Sequence, residues 1–275
     1  MVIPATLLAL MIVIGPFVSI IWTSLADTPS GFSLENYERF LEPDSALAIW
    51  RTFVIGAGSV VLEVAVALPL ALLLNSQLPA RGAMRALVTL PWAIPTIAAA
   101  TAFVWLADTN YGLVNQLGLE LGLFDDPIEL LSSREYALLI VTAAYAWKGL
   151  PLAFIIILSG LQSLPAEQLE AARVDGAGRA AQIRHIVIPH LKSAIVLAAV
   201  LSGVYNFAQF DIAYLMTGGG PSEATTTLPI LLYNEGFRAL EDGRAAATGV
   251  VIFVAGLLTL TAWAIWDRRQ RLRRA

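Results

Sequence analysis

"LEAARVDGAGRAAQIRHIVIP", residues 169–189, interrupts a chain that otherwise alternates between long apolar runs and short acidic connections. It holds Glu170, Arg173, Asp175, Arg179 and Arg184, with Gly176 and Gly178 at its centre and Pro189 at its end. Just upstream, Ser163 is a capping residue for a helix whose first turn tolerates Pro165, because the first helical amides have no partner to lose. Glu167 and Glu170 suit early turns near the positive end of the helix dipole, and Gly176 with Gly178 stops the helix. A second amphipathic stretch runs from Arg179 to Ile188, and Pro189 suits the first turn of the apolar run that follows. The spacing predicts two short helices joined at a glycine elbow, with small Ala171 and Ala172 open to close approach by another backbone. Two uses fit such a hairpin: lying on the lipid surface with its arginines facing anionic headgroups, or docking a protein.

The rest of the chain says where the hairpin sits. Of 275 residues 57% are hydrophobic and 14% charged, against about 25% charged in soluble domains. Crossing the hydrocarbon core takes about 20 predominantly apolar residues in a helix. Six stretches qualify, at 2–25, 50–74, 84–107, 137–160, 193–216 and 245–266, and the connections are too short for a separate soluble domain. The expectation is an all-α integral membrane protein, one transmembrane domain over 1–275, with the 161–192 loop as its main polar connection. The first stretch lacks the basic leader and small-residue cleavage site of a signal peptide, so it is read as a span. No basic tail precedes Met1, which is unusual for a first span and consistent with a start further upstream. With no cysteine, disulfides and thiol chemistry are excluded.

Lys and Arg place the loop on one side of the membrane. The connections between stretches 2 and 3 and between 4 and 5, with the C-terminal tail, carry 11 basic residues, Arg273 and Arg274 among them, against 4 on the other side, where 15 of the 21 acids lie. The positive-inside rule then puts both termini and the 161–192 loop in the cytoplasm. The net charge of −4 averages an acidic outer side with a basic inner one, and nothing in it points to nucleic acid.

The spacing in the loop discriminates further. Glu170-Ala171-Ala172, three residues, Gly176, nine residues, Ile186, one residue, Ile188 and Pro189 resembles the EAA motif of permease subunits of bacterial binding-protein-dependent ABC importers. Ile188 stands where that pattern usually has leucine, a nearly volume-conserving change. "WKGLP" (147–151), "LQSLPAEQLEAARVDGA" (161–177) and "FDIAYLMTGGGP" (210–221) are similar to the carbohydrate branch, which includes maltose, trehalose and glycerol-3-phosphate permeases. The resemblance spans stretches 2 to 6. It implies a type I ABC importer permease fold in the bacterial inner membrane, with Glu170, Ala171, Ala172, Asp175, Gly176, Ile186 and Pro189 forming a coupling helix against an ATPase subunit. It also implies as partners a second permease, two ATPases, an extracytoplasmic solute-binding protein, a sugar and membrane lipid. ATP and Mg would be bound by the ATPase partner, with no cofactor on this chain and no enzymatic activity of its own. The sequence agrees, for it contains no Gly-Lys dipeptide and therefore no phosphate-binding loop of the G-x-x-x-x-G-K-[ST] kind.

Ionisable residues inside spans are expensive and usually functional. Arg51, Glu63, Lys148 and Asp211 are the candidates. Arg51 reaches water from the end of its span, whereas Glu63 and Lys148 both fall near mid-membrane, where mutual neutralisation as an ion pair is the simplest expectation. Ser202, Tyr205, Asn206 and Gln209 recur at i, i+3, i+4 and i+7 and share one helical face. Hydroxyls, amides and an aromatic ring suit a neutral sugar, although the same types also glue helices together. Asp211 lies off that face and nearer the outer surface, where it suits a gate or binding-protein contact. Pro69, Pro91, Pro95 and Pro151 predict kinks, and "TGGGP" (217–221) reads as a flexible external turn rather than a phosphate cradle. His185 and His190, the only histidines, share no helical face well and lack metal-ligand company. The alternative function is a secondary carrier or channel for a small polar solute, which predicts inverted repeats and ion sites that the sequence does not display.

Overall fold

The structure, a computed structural model, describes residues 2–27, 31–76 and 78–272; Met1, Arg273 and Arg274 of the sequence reading lie outside them. Where no water reaches the backbone, each N–H and C=O has to be satisfied within the segment, and the apolar runs accordingly form helices. The first are α1 (Val2–Leu25), the single turn α2 (Glu35–Glu38), and α3 (Pro43–Leu74). Between α1 and α2 a two-residue antiparallel ladder pairs Ala26 with Phe32 and Asp27 with Gly31, the one exception to helix among the described elements. Next come α4 (Arg81–Ala93), α5 (Thr96–Leu106), α6 (Leu113–Glu120) and α7 (Arg134–Gln162). The polar loop gives α8 (Ala166–Val174) and α9 (Arg179–Gln182), which continues through a π-helical turn, Ile183–Val187, into α10 (Ile188–Ala208). The chain ends with α11 (Asp211–Thr217), α12 (Leu228–Tyr233), a second π-helical turn at Asn234–Ala239, and α13 (Asp242–Leu272).

Four of these rods, Pro43–Leu74, Arg134–Gln162, Arg179–Ala208 and Asp242–Arg269, are long and apolar enough to cross a membrane. The third predicted stretch, 84–107, is not one rod, because α4 and α5 meet at a 98° bend. Its cause is Pro95, which has no N–H to give to the carbonyl of Pro91 four residues earlier and holds Ile94 extended. The expected span 193–216 is also divided. Gln209 is extended, with ψ 124°, and the buried Tyr145 hydroxyl donates to its carbonyl at 2.8 Å, so α10 stops at Ala208 and α11 begins anew. Pro69 and Pro151, by contrast, sit inside continuous helices.

The long helices α3 and α7 lie together at the centre, brought close by small residues. A methyl group on Gly58 would meet Thr142 at 3.1 Å, and Ser59 donates to the Thr142 carbonyl at 3.1 Å. Close backbone approach of this kind is the main route to helix association in hydrocarbon, where burial of apolar surface gives no drive. Two apolar clusters flank this contact. One, toward the 161–192 loop, gathers Leu74, Phe154, Ile157, Leu161, Val187 and Leu191. The other, at the far end, gathers Ile55, Val141, Tyr145, Ile212 and Ile230. A polar layer lies between them.

At the far end the Arg39 guanidinium, buried beside α13, pairs with Glu235 and donates to Thr248 and to the Arg244 carbonyl. Burial pushes Arg39 down to about 10, the proximity of Arg244 adding to the effect. Arg39 and Glu235, counted among the outer-side charges from sequence, thus tie the α2 region to α13. The segment 217–221 is likewise not a free turn. Thr217 shares a hydrogen bond with Thr225 at 2.6 Å, while Thr225 and Thr226 donate to the carbonyls of Gly220 and Gly219. Thr225 and Thr227 are buried, and Leu228 N–H is held by Thr52 of α3.

Candidate functional site

Two regions carry the chemistry singled out in the sequence: the hairpin 161–192 and the polar layer between α3, α7 and α10.

The hairpin folds from local rules. Its helix α8 starts at Pro165, which is extended (ψ 129°) and occupies the N-cap itself. Ser163 is therefore not the cap. It ends α7, donates to the Gly160 carbonyl at 2.8 Å and meets His190 Nε2 at 3.0 Å, joining α7 to α10. Glu167 in the first turn and Arg173 in the last both complement the helix dipole. The end of α8 is a two-bond cap: Gly176 N–H reaches the Arg173 carbonyl and Ala177 N–H the Ala172 carbonyl, at 3.1 and 2.8 Å. This pattern requires a left-handed residue at its turn, supplied by Gly176 at φ +81° with open space around its missing side chain. Gln182, buried, donates to the Ala177 carbonyl at 2.6 Å and fixes the elbow from the other side. From sequence its only sign was an amide within an amphipathic stretch.

Beyond the elbow the helix does not end at Pro189. It runs on through the π-helical turn Ile183–Val187 just before the proline, where the wider turn makes room for a residue without an N–H. The inward side of the hairpin is anchored by Leu164, Leu169 and Val187 on the apolar cluster of α3 and α7. Its other side is free: Glu170, Ala171, Asp175 and Pro189 are exposed, Ala172 and Ile186 half-buried, and the apolar side chain of Val174 is 89% exposed. The hairpin is thus fastened to the core on one face and shows small, acidic and apolar residues on the other.

In the polar layer the structure separates the expected ion pair. Lys148 Nζ donates to the carbonyls of Pro91 and Ile94, at 2.8 and 2.5 Å. These are carbonyls freed by the Pro95 break, and an ammonium carries enough donors to serve both. Glu63 Oε1 instead accepts from Asn206 Nδ2 at 2.8 Å, and its carboxylate lies over Gly149, where a methyl group would meet Oε1 at 2.2 Å. Glu63 and Lys148 thus each serve a different helix, and the stronger local demand of the broken backbone draws the lysine away.

Three of the four expected path residues come together. Ser202, Tyr205 and Asn206 of α10 line a cavity of about 230 Å³ with Trp92 of α4 and Gly149 and Leu152 of α7. Gln209 does not join them; it lies past the end of α10, buried, where its own backbone carbonyl takes the Tyr145 hydroxyl. Asn206 Oδ1 is buried without a hydrogen-bond partner, while the Ser202 hydroxyl lies against the Glu63 carboxylate. Buried polar groups normally have a partner, so a bare acceptor beside a cavity suits a polar guest. Trp92 was invisible as a site residue in the sequence, being one aromatic in an apolar run until the bend turns it to the cavity. Asp211 is exposed at the start of α11 and is not among the residues that line this cavity. Neither His185, on the Ala181 carbonyl, nor His190 joins a metal-ligating group among the described residues.

Comparison with known proteins places the chain. The family described as the binding-protein-dependent transport system inner membrane component matches residues 63–272. The trehalose/maltose transport system permease protein MalF of Thermococcus litoralis is 33% identical over 100% of this chain and 93% of its own length. The sulfoquinovosyl glycerol transport system permease protein SmoG of Agrobacterium fabrum is 32% identical over 92% of this chain and 84% of its own length. The sn-glycerol-3-phosphate transport system permease protein UgpA of the same organism is 33% identical over 84% of this chain and 78% of its own. A crystal structure of a bacterial ABC transporter involved in import of the acidic polysaccharide alginate contains a chain of the same fold, with a TM-score of 0.83 at 22% identity, covering 98% of this chain and 94% of that one.

Proposed function

The chain belongs to the family of inner membrane components of binding-protein-dependent transport systems, and on that premise we propose that, as one permease of an ATP-driven importer, it carries a neutral carbohydrate into the cytoplasm. Its relatives' names cover both neutral and anionic substrates, trehalose and maltose on one side, glycerol-3-phosphate and a sulfoquinovosyl glycerol on the other. The observation that favours a neutral one is the cavity of Trp92, Gly149, Leu152, Ser202, Tyr205 and Asn206, which has aromatic rings and hydrogen-bonding groups but no cation. Phosphate and sulfonate recognition draws on arginine or lysine, and the nearby ammonium of Lys148 already serves two backbone carbonyls. A second permease, two ATPases and a solute-binding protein complete the transporter in this reading. Gln209 stands outside this cavity, its carbonyl accepting from Tyr145 where α10 ends.

Energy enters through α8. Glu170, Ala171, Ala172, Asp175 and Gly176 meet an ATPase subunit, with Val174 adding apolar contact, while Ile186 and Pro189 pass the displacement into α10. Because Leu164 and Leu169 fasten the hairpin to α3 and α7, movement at the ATPase travels as a rigid-body shift rather than being lost in a soft loop. Six crossings with both termini in the cytoplasm agree with the charge distribution. Cysteine at Ser222 is then expected to react with an impermeant thiol reagent from outside intact cells, and cysteine at Arg179 only after permeabilisation. The opposite labelling pattern would refute the orientation.

The sugar path is tested by competition uptake with mono- and disaccharides, on variants of normal expression and ATPase assembly. One lost neutral hydrogen bond is worth about 0.5–1.5 kcal/mol, so Ser202→Ala and Asn206→Ala should each lower uptake efficiency by roughly 2- to 13-fold. Tyr205→Ala removes a ring as well as a hydroxyl and is expected to fall further, whereas Asp211→Ala leaves the order of substrate preference unchanged. Wild-type uptake of every sugar by the Ser202, Tyr205 and Asn206 variants would make this face helix packing alone.

A further inference from the structure

One unpartnered atom of the polar layer, the Asn206 carbonyl, has a definite chemical sense. Asn206 has one amide that donates and one carbonyl that accepts. Its Nδ2 donates to Glu63 Oε1 at 2.8 Å, which turns the amide carbonyl away from the carboxyl group. The Asn206 carbonyl is what remains, and it has no partner; the Ser202 hydroxyl lies against the Glu63 carboxylate. All three residues are at least 97% buried, on α3 and α10. Asn206 Nδ2 keeps a second N–H and the Ser202 hydroxyl can donate, so the Asn206 carbonyl is the acceptor of this group that stands unmet. Glu63 itself is not in the cavity wall. It stands behind Asn206, wedged against Gly149, where any larger residue than glycine would collide with its carboxylate.

We propose that Glu63 is a positioning residue that sets substrate specificity: it holds the Asn206 amide so that its carbonyl is left as an open acceptor, and thereby favours guests that bring an O–H donor to it. This rests on Asn206 lining the sugar path. It adds a reason why hydroxyl-rich neutral sugars are admitted, whereas a guest with fluorine in place of the hydroxyl that meets Asn206 leaves that carbonyl buried unpaired, the more costly outcome.

The test uses the complete transporter in proteoliposomes, with radiolabelled maltose and trehalose as probes and their deoxyfluoro analogues as competitors. In the wild type, replacing a contacting hydroxyl by fluorine is expected to weaken competition by roughly 2- to 13-fold. Glu63→Gln can either donate or accept, releases the amide orientation, and should bring that ratio toward one. Asn206→Asp beside an intact Glu63 sets two acceptors face to face and should abolish uptake. The exchange Glu63→Gln with Asn206→Asp restores a donor–acceptor pair and should recover it, with the wild-type preference for hydroxyls. A residue that merely supported the fold would lower the maximal rate for all sugars alike without changing the fluorine ratio, so an unchanged ratio in Glu63→Gln, or no rescue by the exchange, overturns the proposal. An Asn206→Ala variant with wild-type uptake and ratio overturns the path reading itself, as does a wild-type transporter that takes up neither probe. A shifted ratio in Asn206→Ala with none in Glu63→Gln removes only the role of Glu63.

Discussion

Valine at Gly176 should leave the chain inserted in the membrane yet cut substrate-stimulated ATP hydrolysis and uptake by the assembled transporter roughly five- to thirtyfold. The two bonds that close α8 require a left-handed residue, and Gly176 supplies it at φ +81°. A side chain there meets no neighbour, so the effect is purely one of backbone conformation. Holding an ordinary L-residue left-handed costs about 1–2 kcal/mol, which is the factor just given if the strain has to be overcome each time the hairpin docks. Valine, β-branched, belongs at the upper end of that range. Asparagine tolerates this conformation and should retain most of the coupling, while Glu170→Lys, a charge reversal on the exposed face, should uncouple without disturbing the cap. Measured in proteoliposomes, full stimulation in Gly176→Val would show that the shape of the elbow is not what transmits the stroke.

The second large effect is expected at Lys148. Methionine is of similar length, but it leaves the Pro91 and Ile94 carbonyls without a donor in the interior of the protein. Each buried polar group left unpaired costs about 1–3 kcal/mol, so Lys148→Met should destabilise by about 2–6 kcal/mol. Denaturation of the purified chain in detergent reads the loss directly. Uptake should fall as well, because the same break aims Trp92 at the cavity. Arginine, which retains several donors, should recover part of the stability. A variant as stable as the wild type would mean that water or lipid headgroups, and not Lys148, satisfy the bend.

These two sites show what the sequence makes legible. The elbow at Gly176 could be read directly because its causes are local: glycine, a helix of nine residues, and charges placed to suit the dipole. The apolar rods were legible for the same reason, hydrophobic length being a property of one segment. The prolines of the spans were visible too, but not which of them breaks its span, since Pro69, Pro91 and Pro151 stay within helices. Only at Pro95 does a residue 53 positions away in sequence, Lys148, replace the missing donor of the backbone. Depth in the membrane drew Glu63 and Lys148 together as mid-span charges, yet depth says nothing of direction around a helix, and their partners proved to be Asn206 and a broken backbone. Gln209 failed for a related reason: i+7 spacing places it with Ser202 only if the helix lasts that long, and Tyr145 ends it at Ala208. Trp92 could not be chosen among seven tryptophans until the 98° bend gave it a direction. Long-range contacts, rather than composition, decide all four.

The most direct test of the central claim is uptake of a radiolabelled disaccharide by proteoliposomes holding this chain with its partner permease and ATPases. Uptake should require both internal ATP and the solute-binding protein outside, and should cease when either is withheld. Uptake by this chain alone, driven by an ion gradient without ATP, would contradict the account and make the protein a self-sufficient carrier.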